Sequence, residues 1–217
     1  MSTNLARTLV KSVVAFLAAS GLAGCGDSKP VHASKTESSG NAAASSPASP
    51  TSDALDLLFG SFNDYRLTGG WTRAEPTLAA LGGRKVDQEQ LPLLGIDAGK
   101  GFGFHIIRGS KIAFTVGVNT KANSVAVLIP RTDATSEDLV REIGARVDTE
   151  KLGEEADIGQ NAEMFAAWLG TDPLGLIVIN TSRGNGAEPK MASVGIVDWR
   201  SAVEALPELK GVFLRRR

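Results

Sequence analysis

The residues of this chain best suited to chemistry are few and lie far apart in the sequence. His105 is the one histidine of the predicted folded region, and an imidazole with a pKa near neutrality can act as a general base. In a strand it would point away from Phe104 and Ile106, because side chains alternate between the two faces. No serine-hydrolase or zinc-protease motif accompanies it. We therefore predict a surface position for His105 and no catalytic residues.

A glycine-rich stretch from Gly95 to Gly103 has the composition of a phosphate-binding loop. A P-loop needs four residues between its first glycine and a Gly-Lys pair, and then Ser or Thr and a helix. Here three residues separate Gly95 from Gly99-Lys100, and Gly101 and a predicted strand follow. The spacing therefore predicts no nucleotide cofactor, and the glycines are expected to relieve crowding where a strand begins.

Acidic residues cluster at Glu154, Glu155 and Asp157, and Asp133 and Asp198 end predicted strands. A metal site or a glycosidase needs carboxylates that converge from separate elements. The spacing of a calcium-binding EF-hand is absent from the sequence. Surface, turn and capping roles are the simpler interpretation, so we predict no metal site.

Two tryptophans are candidates for stacking on a sugar ring. Trp71 and Trp199 each have an arginine close by in the sequence, Arg73 and Arg200, which favours a surface position. Trp168 ends an apolar run and is predicted to be core. Anchoring in the core is nevertheless the leading interpretation for Trp71 and Trp199 as well.

The hydrophobic pattern predicts an α+β domain, with an antiparallel sheet of about five strands and helices packed on one face. No internal sequence repeat is present. Strands are predicted over 101–108, 111–118, 124–129, 174–180, 191–199 and, last, 212–214. Helices are predicted over 53–68, 76–81, 135–146, 161–169 and 201–206, with a loop over 151–159.

The first residues have the pattern of an export signal. Arg7 and Lys11 precede an apolar run that is about half as long as a membrane-spanning helix. The run ends in Leu22-Ala23-Gly24-Cys25, which resembles the lipobox of bacterial lipoproteins. The resemblance covers residues 1–25. It implies that a diacylglycerol is attached to the sulfur of Cys25 and that the signal is removed just before this residue.

The resemblance also implies a location. Two or three acyl chains together hold a protein stably on a membrane, because each buried CH₂ contributes about 0.8 kcal/mol. Gly26 follows the cysteine, where members of that family retained at the inner membrane have aspartate. We expect the protein at the periplasmic face, at the outer rather than the inner membrane. Cys25 is the only cysteine, so its lipidation would leave no thiol or disulfide.

The chain therefore divides into three predicted parts: a signal peptide over residues 1–24, a tether over 25–52 that starts at the lipidated Cys25, and one globular domain over 53–217. The tether is rich in Ser, Ala and Pro and has too few apolar side chains to fold. As a flexible chain it would span about 30 Å.

The net formal charge of −1 is not that of a nucleic-acid-binding protein. We expect a lipid-anchored envelope protein whose domain binds a protein partner or a cell-wall component such as peptidoglycan, without catalysis. The alternative is a hydrolase of cell-wall or glycan substrates that uses carboxylates or His105. Two acidic groups, or His105 and an acid, facing each other across a pocket would distinguish the enzyme.

Overall fold

The computed structural model describes residues 50–94, 96–97, 99–157, 160–182 and 190–216. The predicted signal, Cys25 and most of the predicted tether lie outside these residues. The helices are α1 (Pro50–Thr68), α2 (Ala74–Ala80), α3 (Ser136–Gly144), α4 (Trp199–Ala205) and α5 (Lys210–Phe213). The strands are β1 (Arg84–Lys85), β2 (Gly101–Arg108), β3 (Lys111–Asn119), β4 (Ser124–Pro130), β5 (Asp148–Asp157), β6 (Gln160–Leu169), β7 (Asp172–Ser182) and β8 (Met191–Asp198). Short 3₁₀ turns cover Leu91–Leu94, Pro207–Leu209 and Leu214–Arg216.

All eight strands belong to one antiparallel sheet in the order β1-β2-β3-β4-β8-β7-β6-β5. It consists of two meanders, β1 to β4 and β5 to β8, which meet where β4 pairs with β8 and Val127 lies opposite Val194. A helix precedes each meander along the chain. The predicted α+β class and antiparallel sheet are confirmed, whereas the sheet has eight strands and not about five.

Hydrophobic clusters lie on both faces of the sheet. Along β7, Ile177 and Ile179 belong to one cluster and Leu176 and Val178 to the other, as alternation requires. We call these the first and second faces. Helices α1, α2 and α3 bury Ala54, Leu55, Leu58, Phe62, Ala74, Leu78, Leu139 and Ile143 against the first face. The C-terminal segment buries Ala202, Leu206, Leu209, Val212 and Phe213 against the second. The prediction of helices on one face was therefore wrong.

The second meander holds most of the errors in secondary structure. The predicted helix over 161–169 is β6, in which Met164 and Trp168 face one cluster and Phe165 faces the other. A strand covered on both faces shows no alternation of polar and apolar residues. Because β6 is also rich in alanine, its sequence pattern resembles that of a helix. The predicted loop over 151–159 is mostly β5, a charged edge strand. The predicted strand over 212–214 lies in α5 and the turn after it.

The remaining elements lie close to where they were predicted. Helix α1 begins at Pro50, inside the stretch assigned to the tether. The β2–β3 hairpin turns at Gly109, whose φ of 63° suits glycine. Thr135 caps α3 and forms a capping box with Asp138, as the sequence indicates.

Gly101 shows why the glycine-rich stretch is needed. A Cβ built on Gly101 would lie 1.9 Å from the carbonyl oxygen of Val118. A Cβ on Gly117 would lie 2.9 Å from the Cδ1 of Ile96, which packs on the second face. The glycines let neighbouring backbone and side chains approach the sheet, in keeping with the packing role predicted from the sequence.

Candidate functional site

A row of mostly polar side chains crosses the second face of the sheet. The register places His105 opposite Thr115, Thr115 opposite Leu128, Leu128 opposite Ser193, and Ser193 opposite Asn180. The Nδ1 of His105 lies 2.8 Å from the Thr115 hydroxyl oxygen, and the Asn180 amide donates to the Ser193 hydroxyl at 3.3 Å. Thr115 is buried and the other four are partly exposed. We call these five residues the polar row.

His105 is held neutral within this row. Burial lowers the pKa of His105, and the positive charge of Arg84 lowers it further, while Asp87 opposes the change. Arg84 is its register partner on β1. The imidazole hydrogen-bonds to Thr115, whose side chain is itself buried between its neighbours. This geometry offers a neutral hydrogen-bonding group at the surface and no accessible nucleophile beside it.

The carboxylates singled out in the sequence lie apart, each with its own partner. Asp198 is buried, and its Oδ1 accepts from the backbone N–H of Arg200 at 2.9 Å, which caps α4. Asp133 is exposed and lies 2.8 Å from Lys190, which lowers the Asp133 pKa. Glu154 pairs with Lys151, which lowers the Glu154 pKa. None of these three faces His105 across a pocket in the part of the chain the structure describes.

The side chains of Glu155 and Asp157 lie outside the described residues, although their backbone forms part of β5. Within the described residues, no group of three or more His, Cys, Asp and Glu side chains is arranged to hold a metal ion. The acidic cluster therefore supplies no observed metal-binding geometry.

Trp71 lies in the core and not at the surface. It is only 7% exposed and stacks on Tyr65, with ring centroids 4.5 Å apart and planes inclined by 17°. Phe62 lies on the same aromatic cluster at 6.3 Å. Burial also raises the pKa of Tyr65, and the charge of Asp198 adds to this effect. Trp71 therefore closes the hydrophobic core at the end of α1.

Trp199 is partly buried and packs against the cluster of the second face. Its ring lies 6.4 Å from that of Phe213, and the Arg200 guanidinium carbon lies 5.1 Å from the centroid of the Trp199 ring. A cation–π contact of this kind occupies the ring. Trp199 is thus engaged by its own chain, as is Trp168, which is fully buried and donates to the Phe213 carbonyl at 3.4 Å.

One polar cluster was missed in the sequence. Glu163 on β6 is 8% exposed, lies 2.5 Å from the Nζ of Lys151, and accepts a hydrogen bond from the hydroxyl of Ser136 at the start of α3. Because β6 reads as a helix in the sequence, no pattern placed Glu163 opposite β5 or under α3. The only local indication in the sequence was the spacing of Lys151 and Glu154, which are three residues apart and form a salt bridge.

This cluster brings a serine and a lysine together, as some hydrolases do. In those enzymes the lysine must lose its proton to act as the base. Here hydrogen bonds to Glu154 and then to Glu163 raise the pKa of Lys151, so it stays protonated. The arrangement is an ion-pair junction between α3, β5 and β6.

A cleft on the second face is lined by small residues of neighbouring strands, among them Gly117, Ala126 and Gly195. Its free space is about 20 Å³, which is room for one water molecule. Sites for small ligands typically enclose about 300–1,000 Å³. This cleft is therefore too small for a sugar or a nucleotide.

Comparison of the chain with protein-family models, with curated proteins and with solved structures gives no match. Among the described helices, none is both long and apolar enough to cross a membrane. The functional assignment therefore depends on the chemistry of the chain itself.

Proposed function

We propose that this protein is a lipid-anchored component of the bacterial cell envelope, whose periplasm-facing domain binds a macromolecular partner without transforming it. The proposal of a lipid anchor is supported by the sequence Leu22-Ala23-Gly24-Cys25, which follows a positively charged and then an apolar segment. The lipid on Cys25 holds the chain at the outer membrane, and the tether gives the domain its reach.

The polar row is the surface we assign to partner binding. Its polar side chains offer hydrogen-bond donors and acceptors at regular cross-strand spacing on a partly exposed part of the second face. On the opposite face, the side chains of Val116, Val127 and Val194 are fully buried. A partly polar row of this kind suits a protein or a cell-wall polymer better than a small molecule, which needs an enclosing cavity.

The hydrolase alternative has no such support. His105 hydrogen-bonds to Thr115, and the described carboxylates at Asp133, Glu154 and Asp198 lie in separate parts of the fold. A proton-transfer mechanism needs acid and base within reach of one substrate atom. We therefore propose binding and not hydrolysis.

The anchor is tested by replacing Cys25 with serine in cells fed labelled palmitate. We expect the wild-type protein to carry the label and to fractionate with membranes, and Cys25→Ser to lose both properties. Membrane association and labelling that survive the substitution would refute the lipobox assignment.

The binding surface is tested with a photo-crosslinking amino acid at Ser193, in the polar row, and at Glu137, an exposed position on α3 over the first face. We expect adducts in the envelope from position 193 and none from 137. Mass spectrometry then identifies the adduct as protein or muropeptide. Equal adducts at both positions, or none at 193, would refute the polar row as the binding surface.

A further inference from the structure

The end of the sheet beside the start of α1 has a distinct surface, formed by Ile107, Lys111, Ile112 and Arg131. We call it the hairpin surface. Ile107 and Ile112 are register partners on β2 and β3, so their side chains project together from the second face. They are 37% and 45% exposed. Exposed apolar side chains are ordinary, and this pair is smaller than the patches that mark an interface by themselves, so the charges at the same end of the sheet have to be considered with it.

Two basic side chains lie at the same end of the sheet as this pair. Lys111 precedes Ile112 in β3, so alternation places its side chain on the opposite side of the hairpin, and Arg131 follows the last residue of β4, where its φ of 55° turns the chain. Within the described residues neither base has an acidic partner. Two further bases at this end are already matched, Arg108 with Asp53 and Lys190 with Asp133. Approached from the end of the sheet, the hairpin surface therefore has an excess of positive charge.

The tether joins the domain at this same place. The salt bridge between Asp53 and Arg108 holds the first turn of α1 against the end of β2. Pro50, the first residue of α1, is about 5 Å from Asp53 along the helix axis. The predicted tether connects it to Cys25, and the span expected from its composition is about 30 Å. In the anchored protein, the hairpin surface would therefore be the part of the domain nearest to the point where the tether is attached.

We infer that the hairpin surface docks on an anionic lipid bilayer, with Lys111 and Arg131 beside phosphate-bearing headgroups and Ile107 and Ile112 at the interface. The inference rests on the proposed lipid anchor. One base beside an anionic membrane gives about a fivefold gain in association, which is too weak alone to recruit a protein. A short tether supplies the high effective concentration that makes such a contact persist. Docking would fix the orientation of the polar row relative to the membrane.

The test uses the lipidated full-length mature protein in vesicles of phosphatidylcholine, with or without phosphatidylglycerol. With Cys25 lipidated, one introduced cysteine is the only thiol to label. A fluorescent dye is placed at Ser110→Cys in the β2–β3 turn, and in a separate protein at Lys121→Cys in the β3–β4 turn, at the opposite end of the sheet. Spin-labelled lipid then quenches whichever dye lies at the bilayer.

We expect stronger quenching at position 110 than at 121, only in anionic vesicles. Added salt at 1 M, where the Debye length is about 3 Å, should abolish the difference. With the dye at position 110, Lys111→Gln combined with Arg131→Gln should lower the docked-to-undocked ratio by about 25-fold, fivefold for each base. The matched neutralisation, Lys121→Gln with Lys210→Gln, should leave the ratio unchanged.

The outcomes separate the two proposals. Protein that fails to float with the vesicles refutes the lipid anchor itself. Protein that floats but shows equal quenching at 110 and 121 refutes docking and leaves the anchor standing. The dye at position 110 could instead become protected as more protein is added to each vesicle, whatever the lipid charge. That result would show a second copy of the protein on the hairpin surface and would also overturn the inference.

Discussion

Two polar side chains of the sheet, His105 and Glu163, have partners of different kinds. Burial disfavours the charged form of any group unless a partner compensates. His105 is partly buried and has only a hydroxyl partner, so its pKa is lowered. Glu163 contacts the ammonium group of Lys151 and the hydroxyl of Ser136. The partner therefore decides how well the fold accommodates a charge at each position.

His105 should make the domain less stable in mild acid. Its folded pKa lies below the ordinary value of about 6.5, so the unfolded chain takes up the proton first as the pH falls. The free energy of unfolding should therefore decline from pH 7.5 to 5.5, and the decline should be complete below the folded pKa. Urea unfolding followed by tryptophan fluorescence measures it. His105→Gln should lack this decline; a decline of the same size in the variant would contradict the assignment.

Glu163 and Glu154 form a matched pair, since both bind Lys151 and only Glu163 is buried. Glu163→Gln should lower the free energy of unfolding by about 1–2 kcal/mol, because a charge-assisted and largely buried contact is lost. Glu154→Gln should change it by less than about 0.5 kcal/mol, as expected of an exposed pair. Equal effects in chemical denaturation would show that burial of Glu163 contributes nothing.

At the scale of elements, the sequence predicts well where one face of an element is polar. Helix α1, the β2–β3 hairpin and the capped α3 all have such patterns, and they lie close to the predicted ranges. It fails for β6, whose two buried faces erase the alternation, and for β5, whose charges resemble a loop. The two errors have different causes, since helices cover both faces of β6 whereas β5 is a charged strand at the edge of the sheet.

The candidate site was predicted less completely than the fold. Alternation in β2 places the side chain of His105 on the second face, where it is partly exposed. Its neighbours Ser193 and Asn180 come from the other meander, so only the long-range pairing of β4 with β8 reveals the polar row. For Trp71, an arginine nearby in the sequence says little about burial, and the ring lies in the core.

The close contact between Gly101, at the start of β2, and the backbone of β3 can be tested by substitution. Gly101→Ala would bring a Cβ to 1.9 Å from a backbone oxygen that has little room to move. We expect a loss of about 1–3 kcal/mol in the free energy of unfolding. Gly60→Ala is the control, because Gly60 lies in α1 with no other atom within 4 Å of the new Cβ. It should stabilise by about 0.5–1 kcal/mol. Melting curves that rank the two variants in the reverse order would refute the packing argument.

At the scale of the molecule, one sheet separates the hydrophobic cluster of the first face from those of the second, and the cluster of the first face depends on α1. Leu55, Leu58 and Phe62 of this helix are fully buried against the first face. Burial of one such side chain contributes about 1.5–3 kcal/mol, and a whole domain is stable by only about 5–15 kcal/mol. The helix next to the predicted tether is therefore part of the domain and not an appendage.

Three N-terminal truncations test this boundary. Chains that start at residue 26 and at residue 50 should have melting temperatures within about 2 °C of each other, because the tether adds no core. A chain that starts at residue 71 lacks α1 and should not fold cooperatively. Circular dichroism melts measure all three. A cooperative transition in the shortest chain would contradict the role of α1.

The strand order has a consequence for how the chain folds when it emerges into the compartment where it folds, N-terminus first. β4 emerges before β5, β6 and β7, yet its partner on one side is β8. Until β8 arrives, the partly folded chain has an unpaired edge containing Val125, Val127 and Ile129, an edge that can pair with another chain. Slower arrival of β8 would therefore first be seen as aggregation of partly folded protein, with the finished molecule no less stable.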